Sequence, residues 1–184
     1  MTANLQPFNT LPLDIQSPKV LTLKDALQKL VAKDEITGFT CPKTKQQVMA
    51  SNQVMLESLP RVLTLQLKRF IYEDGGLQKV TKRLLFPIDL EINRDLLSVN
   101  SRNKYNANQR KYRLFAVVNH EGKEANKGHY VSDIFHNGYN CWLRFDDSAV
   151  SQISEAAVLK HEPPRVPYLL FYKRLDSSSA DNNA

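Results

Sequence analysis

The sequence predicts an α+β domain in which a mostly antiparallel sheet outweighs a little helix, and three observations predict it. Thr22-Leu-Lys-Asp25 opens a run with apolar residues at three- and four-residue spacing, one amphipathic helix. Val62 to Phe70 alternates, with Leu63, Leu65 and Leu67 on one face and Thr64, Gln66 and Lys68 on the other. After residue 111 four further apolar runs follow, joined mostly by short connections carrying Gly or Asn, which suits hairpins rather than parallel crossovers.

Taken in order, Leu23, Ala26, Leu27, Leu30 and Val31 define a helix from about Leu23 to Lys33. Beyond Gly38, the polar stretch from Cys41 to Gln47 reads as a turn or hairpin tip. The half-buried strand follows Leu59-Pro60, Glu73-Asp-Gly-Gly76 supplies a turn, and Phe86 to Ile92 reads as a short strand opened by proline. Residues 93–111 are rich in Asn, Ser, Arg and Lys, with few large apolar groups after Leu97 and Val99, and read as a mobile surface insertion. The four remaining strands are expected at Tyr112 to Asn119, Gly128 to Phe135, Cys141 to Phe145 and Tyr168 to Arg174, before a small, polar and disordered tail at 176–184.

With 184 residues and 42% hydrophobic content the chain can bury a sizeable core. Its 25 Lys and Arg against 19 Asp and Glu lie in short groups such as Lys68-Arg69, without a long basic run or interleaved aromatics, so a nucleic-acid partner is not expected. No apolar run approaches bilayer length and the N-terminus lacks the regions of a secretory signal. The reading is a cytosolic or nuclear chain without a membrane partner, whose two cysteines, Cys41 and Cys141, stay reduced.

Chemistry concentrates between Lys127 and Asp147. A hairpin joining Gly128–Phe135 to Cys141–Phe145 returns Asp146 and Asp147 to the neighbourhood of His129. A carboxylate accepting the proton of one imidazole nitrogen fixes the tautomer and stabilises the imidazolium, leaving the other nitrogen to take a proton from a nucleophile. Gly128 would let a substrate backbone approach where a side chain would obstruct it. On spacing alone the pair competes with a plainer reading, a polar surface histidine beside a turn. His120, His136 and His161 show no ligand spacing and are read as surface or structural residues.

Gly128-His129-Tyr130, then Trp142-Leu-Arg-Phe-Asp146-Asp147, then Pro167 to Tyr172 resemble the histidine box of the ubiquitin-specific proteases. Leu59 to Phe70 resembles the strand those enzymes carry before that box, and Phe8 to Ile15 with the following helix resembles the segment before that, so the likeness runs from about residue 5 to 174 in the family's order. The resemblance implies the fingers and palm of a papain-like cysteine-protease fold, with the thumb missing, over residues 1–175. It implies His129 as general base, Asp146 as its orienting partner, Asp147 as a second polar residue holding the site, and Tyr130 and Gly128 against the substrate's diglycine tail.

The family's nucleophile stands in a Gly-Asn-x-Gly-Asn-Thr-Cys pattern at a helix N-terminus, and nothing before Cys41 resembles it. The resemblance therefore implies a thiol-dependent deubiquitinase whose cysteine lies in an upstream segment outside these residues, with ubiquitin, its conjugates and that segment as partners and no activity for the chain by itself. The competing reading is a non-catalytic module that binds ubiquitin or another protein. Many family members hold zinc in the fingers through two Cys-x-x-Cys pairs, whereas the corresponding place here reads Cys41-Pro-Lys-Thr44, so no metal and no cofactor is expected. The family's two glycines before the histidine become Lys127-Gly128, and Lys127 is expected to narrow the tail's channel or touch the substrate.

Overall fold

A computed structural model describes residues 4–41, 43–73 and 75–176, so most of the tail expected to be disordered, from 177 onward, lies outside the described residues. The architecture is α+β, as expected: an eight-stranded sheet, two separate hairpins and two short helices. Among the described residues no helix is long and apolar enough to cross a membrane.

The sheet's order follows from β1 (Leu11–Leu13), β4 (Val62–Leu67), β8 (Lys111–Glu121), β9 (His129–His136), β10 (Cys141–Asp146), β11 (Ala149–Ile153) and β12 (Val166–Arg174). They lie side by side as β1, β4, β12, β8, β9, β10 and β11, and β7 (Asp89–Glu91) pairs with the first residues of β8. Only β1 with β4 is parallel among the pairings of this sheet. The alternation of β4 is realised: Leu63, Leu65 and Leu67 are fully buried, beneath a core that also takes Leu13, Ile15, Leu23, Tyr112, Leu170 and Tyr172.

α1 (Leu23–Leu30) starts where its capping box predicts, with the Thr22 hydroxyl accepting from the Asp25 amide and the Asp25 carboxylate accepting from the Thr22 amide. It stops earlier than Lys33 because Val31 leaves helical geometry and its carbonyl accepts from the Gln53 side chain. The hairpin of β2 (Asp34–Thr40) and β3 (Gln47–Asn52) places the tip at the polar stretch read as a turn. It stands clear of the main sheet, with Phe39 43% and Met49 79% exposed. β5 (Phe70–Glu73) and β6 (Gly76–Lys79) form the second hairpin, turning where Gly75 adopts positive φ.

Residues 93–111 make contacts that the sequence did not announce. Leu96, Leu97 and Ser101 are buried, Leu56 and Leu97 form a bridge, and the Tyr105 hydroxyl accepts from the Leu59 amide. Arg110, 8% exposed, donates to the Ile92 carbonyl. Counting apolar side chains missed this, because polar groups bonded to backbone hold the segment. β11 and α2 (Glu155–Leu159) were also unforeseen; α2 begins at Ser154, whose hydroxyl accepts from the Ala157 amide.

Leu65→Ala, which empties a fully buried site in a strand flanked on both sides, is expected to cost about 2–5 kcal/mol in urea unfolding. Leu77→Ala, at a residue 52% exposed, should stay within about 0.5 kcal/mol.

Candidate active site

Strand registry assembles the site. Phe145 pairs with Ser132, so Asp146 stands level with Val131, two residues from His129 on the same face. The pairing puts His129 Nε2 2.6 Å from Asp146 Oδ1, and both side chains remain accessible, 41% and 52% exposed. An ionised carboxylate only accepts, so Nε2 carries the proton and Nδ1 is the nitrogen left to act. Among the described residues Nδ1 has no hydrogen-bond partner. The Asp146 bond raises the imidazole's pKa above its ordinary value, burial works against it, and the nearby charges of Asp147, Asp146 and Glu121 add to the rise.

Asp147 occupies the turn between β10 and β11 at φ +49°, a conformation aspartate tolerates better than most residues. The donor atoms of His129, Asp146 and Asp147 lie within 4.8 Å of one another, close enough for a cation, yet Nε2–H is already spent on Asp146. The geometry is that of a base with its orienting carboxylate. Cys41 belongs to the separate β2–β3 hairpin, where hydrogen bonds from Thr44 lower its thiol pKa. Cys141 begins β10 and is half-buried.

Gly128 packs tightly against its own chain. A Cβ there would fall 2.3 Å from His120 Nε2 and 2.4 Å from the Glu121 carbonyl, so the protein's own atoms fill the side-chain position. Lys127 is exposed, with Nζ 3.6 Å from Glu124. Tyr130 points to the opposite face from His129, half exposed, with its ring 5.0 Å from the His120 ring and 5.9 Å from that of Tyr168. His120 is therefore buried and not a surface residue; its Nδ1 lacks a partner, and burial pushes its pKa down.

A second set of residues escaped the sequence reading. Asp133, 1% exposed, receives Arg144 through Nε at 2.7 Å and Nη2 at 2.9 Å, and also the Asn119 amide at 3.2 Å. Asp133 and Arg144 are direct cross-strand partners on the face that carries His129 and Asp146, two alternations along β9 from His129 and one along β10 from Asp146. The bidentate ion pair clamps β9 to β10 on the same face, further along the hairpin from the site. The period-two pattern from His129 to Asp133 and from Asp146 back to Arg144 was the available signal.

A histidine held by an aspartate at the end of an antiparallel sheet is an arrangement that can take up and return a proton. The chain belongs to the ubiquitin carboxyl-terminal hydrolase family, whose profile matches residues 14–172. Within it, Lys43 to Gln46, Phe86 to Ile92 and Tyr112 to Val118 point to ubiquitin-specific protease 10. Ubiquitin carboxyl-terminal hydrolase 10 of Rattus norvegicus is 52% identical over 176 residues, which cover 95% of this chain and 22% of that protein. Ubiquitin hydrolase B of Dictyostelium discoideum is 37% identical, over 92% of this chain and 35% of its own length. The chain thus spans between about a fifth and a third of the relatives it matches. Among solved structures, the SAGA Ubp8/Sgf11/Sus1/Sgf73 module bound to ubiquitin aldehyde superposes with a TM-score of 0.75 at 32% identity, covering 90% of this chain and 36% of that one. The same module bound to monoubiquitin gives 0.77 at 31% identity, covering 94% and 36%.

Asp146→Asn is expected to bring the His129 titration midpoint, followed by NMR, down toward the ordinary value of 6.5. Because the bond raises the folded value above the unfolded one, its stabilisation is full below pH 6.5 and is lost as pH rises through the folded midpoint; the variant should lose that dependence. Gly128→Ala should cost about 1–3 kcal/mol in urea unfolding, since backbone must shift to admit the methyl group.

Proposed function

We propose that this chain is the base-bearing portion of a thiol-dependent deubiquitinase, cleaving after the C-terminal glycine of ubiquitin in protein conjugates. The observation that carries the reading is the 2.6 Å contact between His129 Nε2 and Asp146, which leaves Nδ1 available beside an exposed edge of the site. Membership of the family and the likeness to a module solved with ubiquitin supply the substrate class.

In this reading a cysteine from outside these residues gives its thiol proton to Nδ1 of His129, and the thiolate attacks the carbonyl carbon of the terminal glycine. Asp146 holds the imidazolium that results, and the raised pKa of His129 favours the thiolate–imidazolium pair before substrate arrives. The imidazolium then protonates the departing amine, and water activated by the same nitrogen releases the ubiquitin acyl group. Asp147 adds negative charge beside the imidazole, while Gly128, Tyr130 and Lys127 border the path of the substrate tail. Thiol chemistry of this kind suits a reducing compartment, the cytosol or nucleus.

The chain alone is expected to leave a fluorogenic ubiquitin amide intact, and Cys41-dependent turnover would contradict the assignment. Joined to the upstream part of a family catalytic domain it should recover hydrolysis, which His129→Ala lowers by roughly 10³-fold or more. Recovery that survives His129→Ala would remove the histidine from the mechanism. A ubiquitin titration of the chain alone with saturable NMR shifts, combined with no recovery after joining, would favour the binding module instead.

A further inference from the structure

The loop from Gly122 to Gly128 closes on itself just before His129. Gly122 turns out of β8 at φ +129°, and a Cβ on it would stand 2.7 Å from the Lys127 carbonyl and 2.9 Å from Gly128 Cα. The loop's two ends therefore cross in direct contact, and wherever the backbone at Gly122 sits, Gly128 and the first residue of β9 must follow.

What holds the crossing point comes from a different hairpin. Lys79, the last residue of β6, directs its ammonium at three backbone carbonyls: His120 at 3.1 Å, Gly122 at 2.6 Å and Pro164 at 2.7 Å. All three N–H donors of the group are thereby used on main chain from two segments, the end of β8 with its loop and the turn leading into β12. No carboxylate lies within ion-pair distance of this lysine among the described residues. Burial and the nearby Arg69 cation disfavour its charge, the more distant Glu121 carboxylate partly offsets them, and the three carbonyls take the place of the lost water around the ammonium. An exposed salt bridge would have been cheaper and would have fixed nothing.

We infer that Lys79 is a positioning residue for the base: it pins the crossing of Gly122 and Gly128, and through it the backbone that carries His129 to its bond with Asp146. The link runs from the Lys79 ammonium to the Gly122 carbonyl, across to Gly128, and so to the backbone of His129. Its functional weight rests on the role of His129 proposed above, but its test needs no turnover, so failure of one is distinguishable from failure of the other.

The experiment compares the chain with Lys79→Met by amide hydrogen exchange and by NMR titration of its histidines. Loss of the clamp should raise exchange at 121–128 by roughly tenfold. The His129 midpoint, set by Asp146 and Asp147 at the end of β10 and by Glu121 of β8, should move down toward the ordinary value, because displaced backbone loosens the Asp146 bond. His136, whose ring stacks on Tyr139 at the other end of β9, should titrate unchanged, and the β2–β3 hairpin should exchange as before. Lys79→Arg, which keeps a cation with several donors, should recover most of both effects. Unchanged protection at 121–128, an unmoved His129 midpoint, or a loss spread evenly through the sheet would overturn the inference. If Lys79→Met does not fold, Lys79→Gln is read with the same two outcomes, and failure of both to fold would show a general structural role and equally overturn it.

Discussion

The site depends on one registry, the antiparallel pairing of β9 with β10. A slip of one residue would turn Asp146 to the opposite face from His129 and dissolve the 2.6 Å contact. The buried Asp133–Arg144 pair makes such a slip expensive, since any other alignment strands a carboxylate that is 1% exposed. A chemically simple pair at the surface is thus kept in place by a largely buried ion pair beside it on the same face.

The second constraint is the unusual way cations are used here. Arg69 is fully buried, with no carboxylate partner among the described residues; it donates to the carbonyls of Pro167, Val80 and Lys82, and burial lowers its pKa to about 10. Lys82 reaches the Ser17 carbonyl and Lys79 the three carbonyls around the loop root. Three basic side chains from one short stretch therefore tie β5, β6 and the residues after them to the ends of β8 and β12 and to neighbouring loops. Backbone acceptors that a sheet would ordinarily satisfy are satisfied by side chains instead.

Much of this was legible in the residues. The capping box at Thr22, the alternation at Leu63, Leu65 and Leu67, and the hairpin returning Asp146 to His129 are local signals with a fixed period, and local signals survive folding. What stayed hidden depends on contacts distant in sequence. Residues 93–111 looked loose because Ser101, Tyr105 and Arg110 find partners on other segments that no periodicity announces. Gly128 was assigned to substrate access, whereas its first obligation is to His120 and Glu121, neighbours that only the β8–β9 pairing brings near. His120 itself, framed by Phe70 and Tyr130, carries no mark in its flanking sequence that it would be buried.

The β2–β3 hairpin shows what a protruding ribbon asks of its surroundings. Two strands by themselves cohere weakly in water, and the outer rims of both present amide and carbonyl groups to solvent. Ile36, Phe39, Val48 and Met49 add greasy side chains to those rims. An exposed edge of this kind is open to pairing with another strand, and the charged Asp34, Glu35, Lys43 and Lys45 that flank these side chains are the residue types that blunt such pairing.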